Sequence, residues 1–159
     1  MTRISITFLQ TVLVLIGLVT ITILIWAPLN EGRATNLSLL KIYSDPFILY
    51  IYTASITFFT ALYQAFKLLR FISQNKVFTS DAVLTLKKIK YCGILLSILI
   101  LFAGLYIKIF HSKEDDPAGF LAICIVTTFS SFVVATAAAI FQKLLQNAVD
   151  IKTENDLTV

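Results

Sequence analysis

An all-α integral membrane protein, with four transmembrane helices in one bundle, is the fold that this sequence predicts. Its 159 residues are 58% hydrophobic and only 14% charged, whereas soluble domains carry about a quarter charged residues. Four apolar runs each reach the length of about 20 residues that a helix needs to cross a bilayer. We therefore expect a single membrane domain over residues 1–159, with helices covering residues 4–27, 46–72, 82–110 and 117–148.

A water-soluble four-helix bundle is the alternative, and it would carry a polar stripe along each helix at a spacing of 3.6 residues. None of the four runs shows such a stripe. Three of them, residues 4–27, 46–66 and 117–141, contain no Asp, Glu, Lys or Arg, and the remaining one, residues 91–110, contains only Lys108 near its end. A long side chain in that position can reach the membrane surface. The pattern therefore favours a bilayer.

The first helix follows Arg3, and a basic residue also precedes the apolar region of a signal peptide. The run over residues 4–27 is longer than the 7–15 apolar residues of such a peptide, and no A-x-A cleavage site follows it. We interpret the run as a retained transmembrane helix that leads into an outer loop over residues 28–45.

The second helix begins at the pair Asp45 and Pro46. Asp is a good hydrogen-bond acceptor at the N-cap, and Pro suits the first helical position. The apolar pattern continues past the expected bilayer limit to residue 72. Because Asn tolerates the left-handed conformation that ends many helices, Asn75 predicts a turn. We place a cytoplasmic connector at residues 73–81.

The third helix can be capped by Thr79 or Ser80, with Asp81 in its first turn. Its first turns mix apolar residues with Lys, which predicts a short interfacial segment leading into the span. An outer loop at residues 111–116 then precedes the fourth helix, which begins at a second Asp-Pro pair. Apolar residues extend one face of that helix past the bilayer, at Leu144, Leu145, Ala148 and Val149.

The distribution of Lys and Arg predicts the orientation, because cytoplasmic segments of membrane proteins are enriched in them. Nine of the 13 lie at the amino end, in the segment 67–90 and in the tail after the fourth span. Four lie in the other two loops. We therefore expect both termini and the connector to be cytoplasmic, in a multi-pass protein of the bacterial inner (cytoplasmic) membrane. A net charge of +4 placed in this way indicates membrane orientation rather than direct nucleic-acid binding.

Polar and small residues within the runs are candidates for contacts between helices. Gln10, Gln64 and Gln142 fall toward the predicted cytoplasmic ends of their spans, and an amide without a partner is costly in lipid. Such residues either form hydrogen bonds across helices or reach the headgroups. Small residues recur at intervals of four and permit close packing within the bundle or in a homo-oligomer; they are Gly93, Ser97, Ser131, Ala135 and Ala139.

Signatures of catalysis are absent from the sequence, which has no H-E-x-x-H motif and no nucleophile elbow. No acid lies in mid-membrane, where a proton-coupled exporter would need one. His111 stands beside acids in a pattern that is more typical of a solvated loop than of a metal site. Cys92 and Cys124 are expected in opposite leaflets, too far apart for a disulfide. We expect no enzymatic activity, cofactor or metal.

Two segments resemble a bacterial membrane family, the domain of unknown function 2975 (DUF2975). One is the central NKVFTSDAVLTLKKIK at residues 75–90, and the other is the terminal ENDLTV at residues 154–159. Asn75, Ala82 and Lys90 depart from the family pattern. The resemblance implies a small four-span protein without an assigned activity. Members are often encoded beside a short helix-turn-helix regulator, which suggests a cytoplasmic regulatory partner by analogy.

Two functional hypotheses follow. In the first, a non-enzymatic membrane protein presents a cytoplasmic face to a protein partner, the specific form being a small helix-turn-helix regulator. That face would consist of Phe78, Val83, Leu86, Lys87, Lys88, Lys90, Glu154, Asn155, Asp156, Leu157, Thr158 and Val159. In the second, the protein is a small transporter or channel for a neutral solute, with a polar path lined by Gln10, Thr57, Thr60, Gln64, Thr127, Thr128 and Ser131.

Overall fold

Four long helices make up almost all of the residues that the computed structural model describes, which are 3–30, 42–110 and 117–157. They are α1 (Arg3–Asn30), α2 (Pro46–Ser73), α3 (Ser80–Phe110) and α4 (Ala118–Leu157). Each is long and apolar enough to cross a membrane, and the described residues contain no strand. The prediction of an all-α membrane protein with four spans is confirmed.

The start of α2 and the turn between α2 and α3 follow the predicted chemistry. Asp45 Oδ1 accepts a hydrogen bond from the Phe47 amide at 2.8 Å, with Pro46 in the first helical position. Asn75 has a φ of 56°, in the left-handed region that Asn tolerates. Thr79 precedes α3, and its hydroxyl donates to the Lys76 carbonyl at 2.9 Å. The side chain of Thr79 thus closes the turn instead of accepting from an amide of α3.

Consecutive helices pack antiparallel, as their contacts show. Tyr52 of α2 donates to the Leu24 carbonyl of α1 at 3.2 Å, and Tyr50 of α2 donates to the Leu99 carbonyl of α3 at 2.7 Å. The pair α3 and α4 has the most extensive contact, and α1 packs mainly against α2. The start of α1, the turn at residues 74–79 and the end of α4 therefore lie at the same end of the bundle, which we call the basic end.

Small residues set the distance between α3 and α4. A Cβ on Gly93 would lie 2.9 Å from Ala135 Cβ and 3.0 Å from the Ser131 carbonyl oxygen. Further along the pair, a Cβ on Gly104 would lie 3.3 Å from Cys124 Cβ. These approaches are closer than side chains normally allow. The predicted close packing of small residues is therefore confirmed inside the bundle.

The helices that form the basic end are longer than one crossing of the hydrocarbon requires. A helix that starts at Pro46 crosses about 30 Å of hydrocarbon within about 20 residues, yet α2 runs on to Ser73. Residues 80–90 form the first three turns of the continuous helix α3, packed between α2 and α4. Within these turns Ala82 has no exposed surface and Thr85 has 2% exposed. The first turns of α3 are therefore a packed helical core rather than a separate interfacial segment.

Candidate functional site

An exposed apolar stripe lies on the part of α4 that belongs to the basic end. Phe141, Leu144 and Ile151 are each about 60% exposed, and Ala148 lies half-buried between them. Their spacing of three or four residues places all four on one face of the helix. From Phe141 to Ile151 the stripe extends for about 15 Å, at 1.5 Å per residue.

Phe78, in the turn between α2 and α3, stands beside this stripe with 57% of its surface exposed. It lines two neighbouring grooves. One, of about 350 Å³, is apolar and also contains Phe141 and Leu144; the other, of about 580 Å³, contains Ile151 and two lysines, Lys76 and Lys152. We call Phe78, Phe141, Leu144, Ala148 and Ile151, together with the two grooves, the docking surface.

The structure distributes the residues predicted from the central segment between interior and surface. Phe78 belongs to the docking surface, and Lys87 and Lys88 are exposed. Lys90 is half-buried, with its Nζ 4.8 Å from the Tyr91 ring centroid. Val83 and Leu86 are only 6% and 7% exposed. These two side chains are therefore largely buried beneath the surface, although Leu86 also lines the smaller groove.

The terminal motif continues α4, which ends at Leu157. Glu154 and Asn155 are exposed near the end of that helix. Thr158 and Val159 lie outside the described residues, as do the side chains of Asp156 and Leu157. The described part of the motif therefore lies on the same helix as the apolar stripe, one turn beyond Ile151.

The basic end has an excess of positive charge around the docking surface. Between residues 67 and 90 and after residue 141 the chain has eight Lys and Arg against four Asp and Glu. Gln146 donates to Asp150 at 2.7 Å, on the face of α4 opposite the stripe. Lys76 and Lys152 line the larger groove itself. This positive charge therefore favours contact with a neutral or acidic surface on another molecule.

Two of the predicted intramembrane glutamines have a buried side-chain oxygen without a hydrogen-bond partner among the described residues. Gln64 is 7% exposed, and the Oε1 atoms of Gln64 and Gln142 have no hydrogen-bond partner among the described residues. Gln10, on α1, is half-buried. Each buried unsatisfied acceptor costs about 1–3 kcal/mol. Both oxygens could therefore accept a hydrogen bond from a water or from another chain.

The residues of the alternative polar path satisfy their hydroxyl groups locally where the hydrogen bonds are described. Thr60 donates to the Ile56 carbonyl at 2.8 Å, and Thr127 donates to the Ile123 carbonyl at 2.7 Å. Such bonds to the preceding turn are the usual way for Thr to lie in an apolar helix. They are typical of lipid-exposed or packed helices and do not by themselves favour a solute path.

Metal-binding groups of three or more His, Cys, Asp or Glu do not occur within residues 3–30, 42–110 and 117–157. His111 and the adjacent acids lie outside those residues. Cys92 and Cys124 are both free thiols.

Phe78 was predicted from the sequence as a partner-binding residue, whereas Phe141 and Ile151, the ends of the apolar stripe, were not. The available signal was the repeat of apolar residues at 141, 144, 148 and 151, which is the spacing of a helix face that packs against another helix. Predicting Ile151 as part of the stripe would have required the full length of α4. The predicted span ended at 148, so that Ile151 fell outside the helix on which the stripe forms.

Comparison with known proteins gives a family but no activity. The family model described as "Protein of unknown function (DUF2975)" matches residues 9–159. The chain is 41% identical over 164 aligned positions to "Uncharacterized membrane protein YoaS" of Bacillus subtilis (strain 168), with the whole length of both chains covered. No solved structure matches the chain. Together with the four spans, this relative indicates a multi-pass protein of a bacterial cell membrane.

Proposed function

The chain belongs to the family of membrane proteins described as DUF2975, and we propose that it is a non-enzymatic protein that holds a protein partner at its docking surface on the cytoplasmic side. The apolar stripe and Phe78 carry this proposal. We place them on the cytoplasmic side of the hydrocarbon, because α4 starts at Ala118 and needs only about 20 residues to cross it. Contiguous apolar side chains in such a position are typical of interaction sites.

The core beneath the docking surface supports a binding role. Leu86 and Ile89 of α3 pack with Ala138 of α4, and Leu68 of α2 contacts the same cluster. Three helices thus fix the surface in one arrangement. A surface that is already ordered loses less conformational entropy on binding than a flexible one.

The specific partner that we propose is a small helix-turn-helix DNA-binding protein, as the family resemblance suggests. Binding at the membrane would hold such a regulator away from its DNA. The positive charge of the basic end would repel a basic, DNA-binding face. The partner would therefore contact the docking surface through another face, with apolar side chains in its centre and acidic ones at its margin.

Co-purification from the native host in mild detergent tests the proposal. We expect a small DNA-binding protein to accompany the full-length chain and the control Gln146→Ala, which lies on the opposite face of α4. Phe78→Glu and Ile151→Glu place a charge in the apolar contact, so recovery of the partner should fall at least about tenfold, equivalent to about 1.4 kcal/mol.

A chain that ends at Thr153 separates the terminal motif from the stripe. Loss of the partner with this chain would assign residues 154–159 a role in binding, and its retention would limit the site to the stripe and Phe78. Equal recovery with the two Glu variants and with the wild-type chain, or recovery of no DNA-binding protein at all, would contradict the proposal.

A further inference from the structure

Four lysines form a second surface feature, at the level where α2 and α3 pass from the apolar part of the molecule into the basic end. Lys67 is on α2, and Lys87, Lys88 and Lys90 are on α3. Lys87 and Lys88 are exposed, and Lys67 and Lys90 are half-buried. We call these four residues the lysine belt.

The contact between α2 and α3 places the belt at one level of the bundle. Leu68, which follows the α2 lysine in the chain, packs against the cluster that contains Leu86 and Ile89 of α3. The α3 lysines lie between or beside these two residues in the sequence. From Lys87 to Lys90 the helix rises by only about 4.5 Å. The four positive charges therefore lie at nearly the same depth.

Helix lengths place the belt at one boundary of the hydrocarbon. Lys67 is about 31 Å along α2 from Pro46, and Lys90 is about 27 Å along α3 from Lys108, at 1.5 Å per residue. The hydrocarbon core of a bilayer is about 30 Å thick, and neither stretch contains another charged residue between its ends. Tyr91, which is 56% exposed, adds an aromatic ring of the kind that is enriched at this level. The headgroups of the leaflet at the basic end therefore surround the belt.

Acidic side chains are absent from all four helices at the level of the belt. Residues 3–30, 46–80, 82–113 and 117–149 contain no Asp or Glu. Asp81, the nearest acid along α3, lies about 9 Å beyond the first α3 lysine toward the end of the molecule. The positive charge of the belt is therefore not neutralised by the helices that carry it.

From this geometry we infer that the lysine belt binds the phosphates of anionic phospholipids in the leaflet at the basic end. The depth of the belt selects a lipid headgroup as its partner, and the uncompensated charge selects an anionic one. Each ammonium group can donate hydrogen bonds to phosphate oxygens, and Lys beside a membrane surface is attracted by anionic lipids. This inference does not depend on a protein partner at the docking surface.

Quenching of a single tryptophan by brominated lipids in liposomes reports which lipid lies beside the belt. Trp26 is the one tryptophan of the chain, so Tyr91→Trp in a Trp26→Phe background places the reporter next to Lys90, whose Nζ lies 4.8 Å from the Tyr91 ring centroid. The liposomes contain phosphatidylglycerol and phosphatidylcholine, with either lipid brominated in turn. We expect phosphatidylglycerol to bind beside the reporter at least about fivefold more strongly than phosphatidylcholine, which corresponds to about 1 kcal/mol.

Substitutions in the same reporter protein test the role of the charge. Lys87→Gln, Lys88→Gln and Lys90→Gln together should reduce the preference to less than about twofold, whereas Arg at the same three positions should preserve it. Lys76→Gln with Lys152→Gln is the matched control, because these lysines line the larger groove of the docking surface. The start of α3 is about 10 Å beyond Lys87, and Lys76 precedes that start. The control should therefore retain the wild-type preference.

Salt gives an independent test of the same interaction. Raising the ionic strength from about 0.1 M to about 1 M shortens the Debye length from about 10 Å to about 3 Å, so the preference for phosphatidylglycerol should fall. Equal affinity of the two lipids beside the reporter, the same preference after the three Gln substitutions, or a preference that salt does not change would overturn the inference.

Discussion

Gly93→Leu should separate α3 from α4 and destabilise the protein by about 3 kcal/mol, the upper part of the usual range for overpacking. Even a Cβ at this position would lie 2.9 Å from Ala135 Cβ and 3.0 Å from the Ser131 carbonyl oxygen. The latter is a backbone atom and cannot rotate away. Because α3 and α4 form the most extensive helix contact, the whole bundle should respond. Circular dichroism in detergent should show a lower Tm, and size-exclusion chromatography should show a smaller monodisperse fraction.

Gly119→Leu is the control for Gly93→Leu, because it adds the same side chain to a glycine with open space around it. It should leave the Tm within about 2 °C of the wild-type value, since surface substitutions usually change stability by less than about 0.5 kcal/mol. If Gly93→Leu had the same Tm as Gly119→Leu, the close contact between α3 and α4 would be wrong.

Leu86→Ala should lower the free energy of unfolding by about 2–5 kcal/mol, the usual cost of removing a large side chain from a core. Leu86 is 7% exposed and packs with Ile89 and Ala138 between α2 and α4. Phe78→Ala changes a side chain that is 57% exposed, so it should cost about 0.5 kcal/mol. Thermal unfolding of the two variants in the same detergent measures the difference.

Partner recovery should separate these two variants in a second way. Phe78→Ala should weaken co-purification of the partner while it lowers the stability of the protein by only about 0.5 kcal/mol. Leu86→Ala should weaken co-purification mainly by destabilising the fold of the basic end, although Leu86 also lines the smaller groove. If Leu86→Ala were stable and Phe78→Ala were unfolded, the assignment of Leu86 to the core and of Phe78 to the surface would be wrong.

The helices and their ends could be predicted from sequence because local chemistry determines them. Apolar runs of at least 20 residues have few alternatives to a transmembrane helix. Asp45 before Pro46 indicated the start of α2, and the Asp45 side chain does accept from the Phe47 amide. Asn75 indicated the left-handed residue of the turn, and its φ is 56°.

The surface of the basic end could not be predicted in the same way, because it depends on which helices meet there. Val83 and Leu86 lie near Lys87 and Lys88 in a pattern that suits an amphipathic helix on a membrane or a partner. The structure places α2 and α4 against that apolar face instead. Val83 and Leu86 are therefore largely buried, and only Leu86 lines a groove of the docking surface. The length of α4 adds Ile151, which no local motif marks.

The burial of Gln64 shows the same dependence on tertiary structure. An amide near the end of a span can reach headgroups, bond to another helix or lie inside the bundle, and its sequence neighbours do not distinguish these outcomes. The contact between α2 and the α3–α4 pair places Gln64 inside, with its Oε1 buried and without a partner among the described residues.

A cytoplasmic protein partner can reach the docking surface only if the basic end faces the cytoplasm. Cysteine labelling with a membrane-impermeant maleimide tests this in intact cells, in a background with Cys92→Ser and Cys124→Ala. We expect Asn36→Cys to react in intact cells, whereas Lys76→Cys and Asn155→Cys should react only after the membrane is permeabilised. Labelling of the latter two in intact cells would place the docking surface outside the cell and contradict the account.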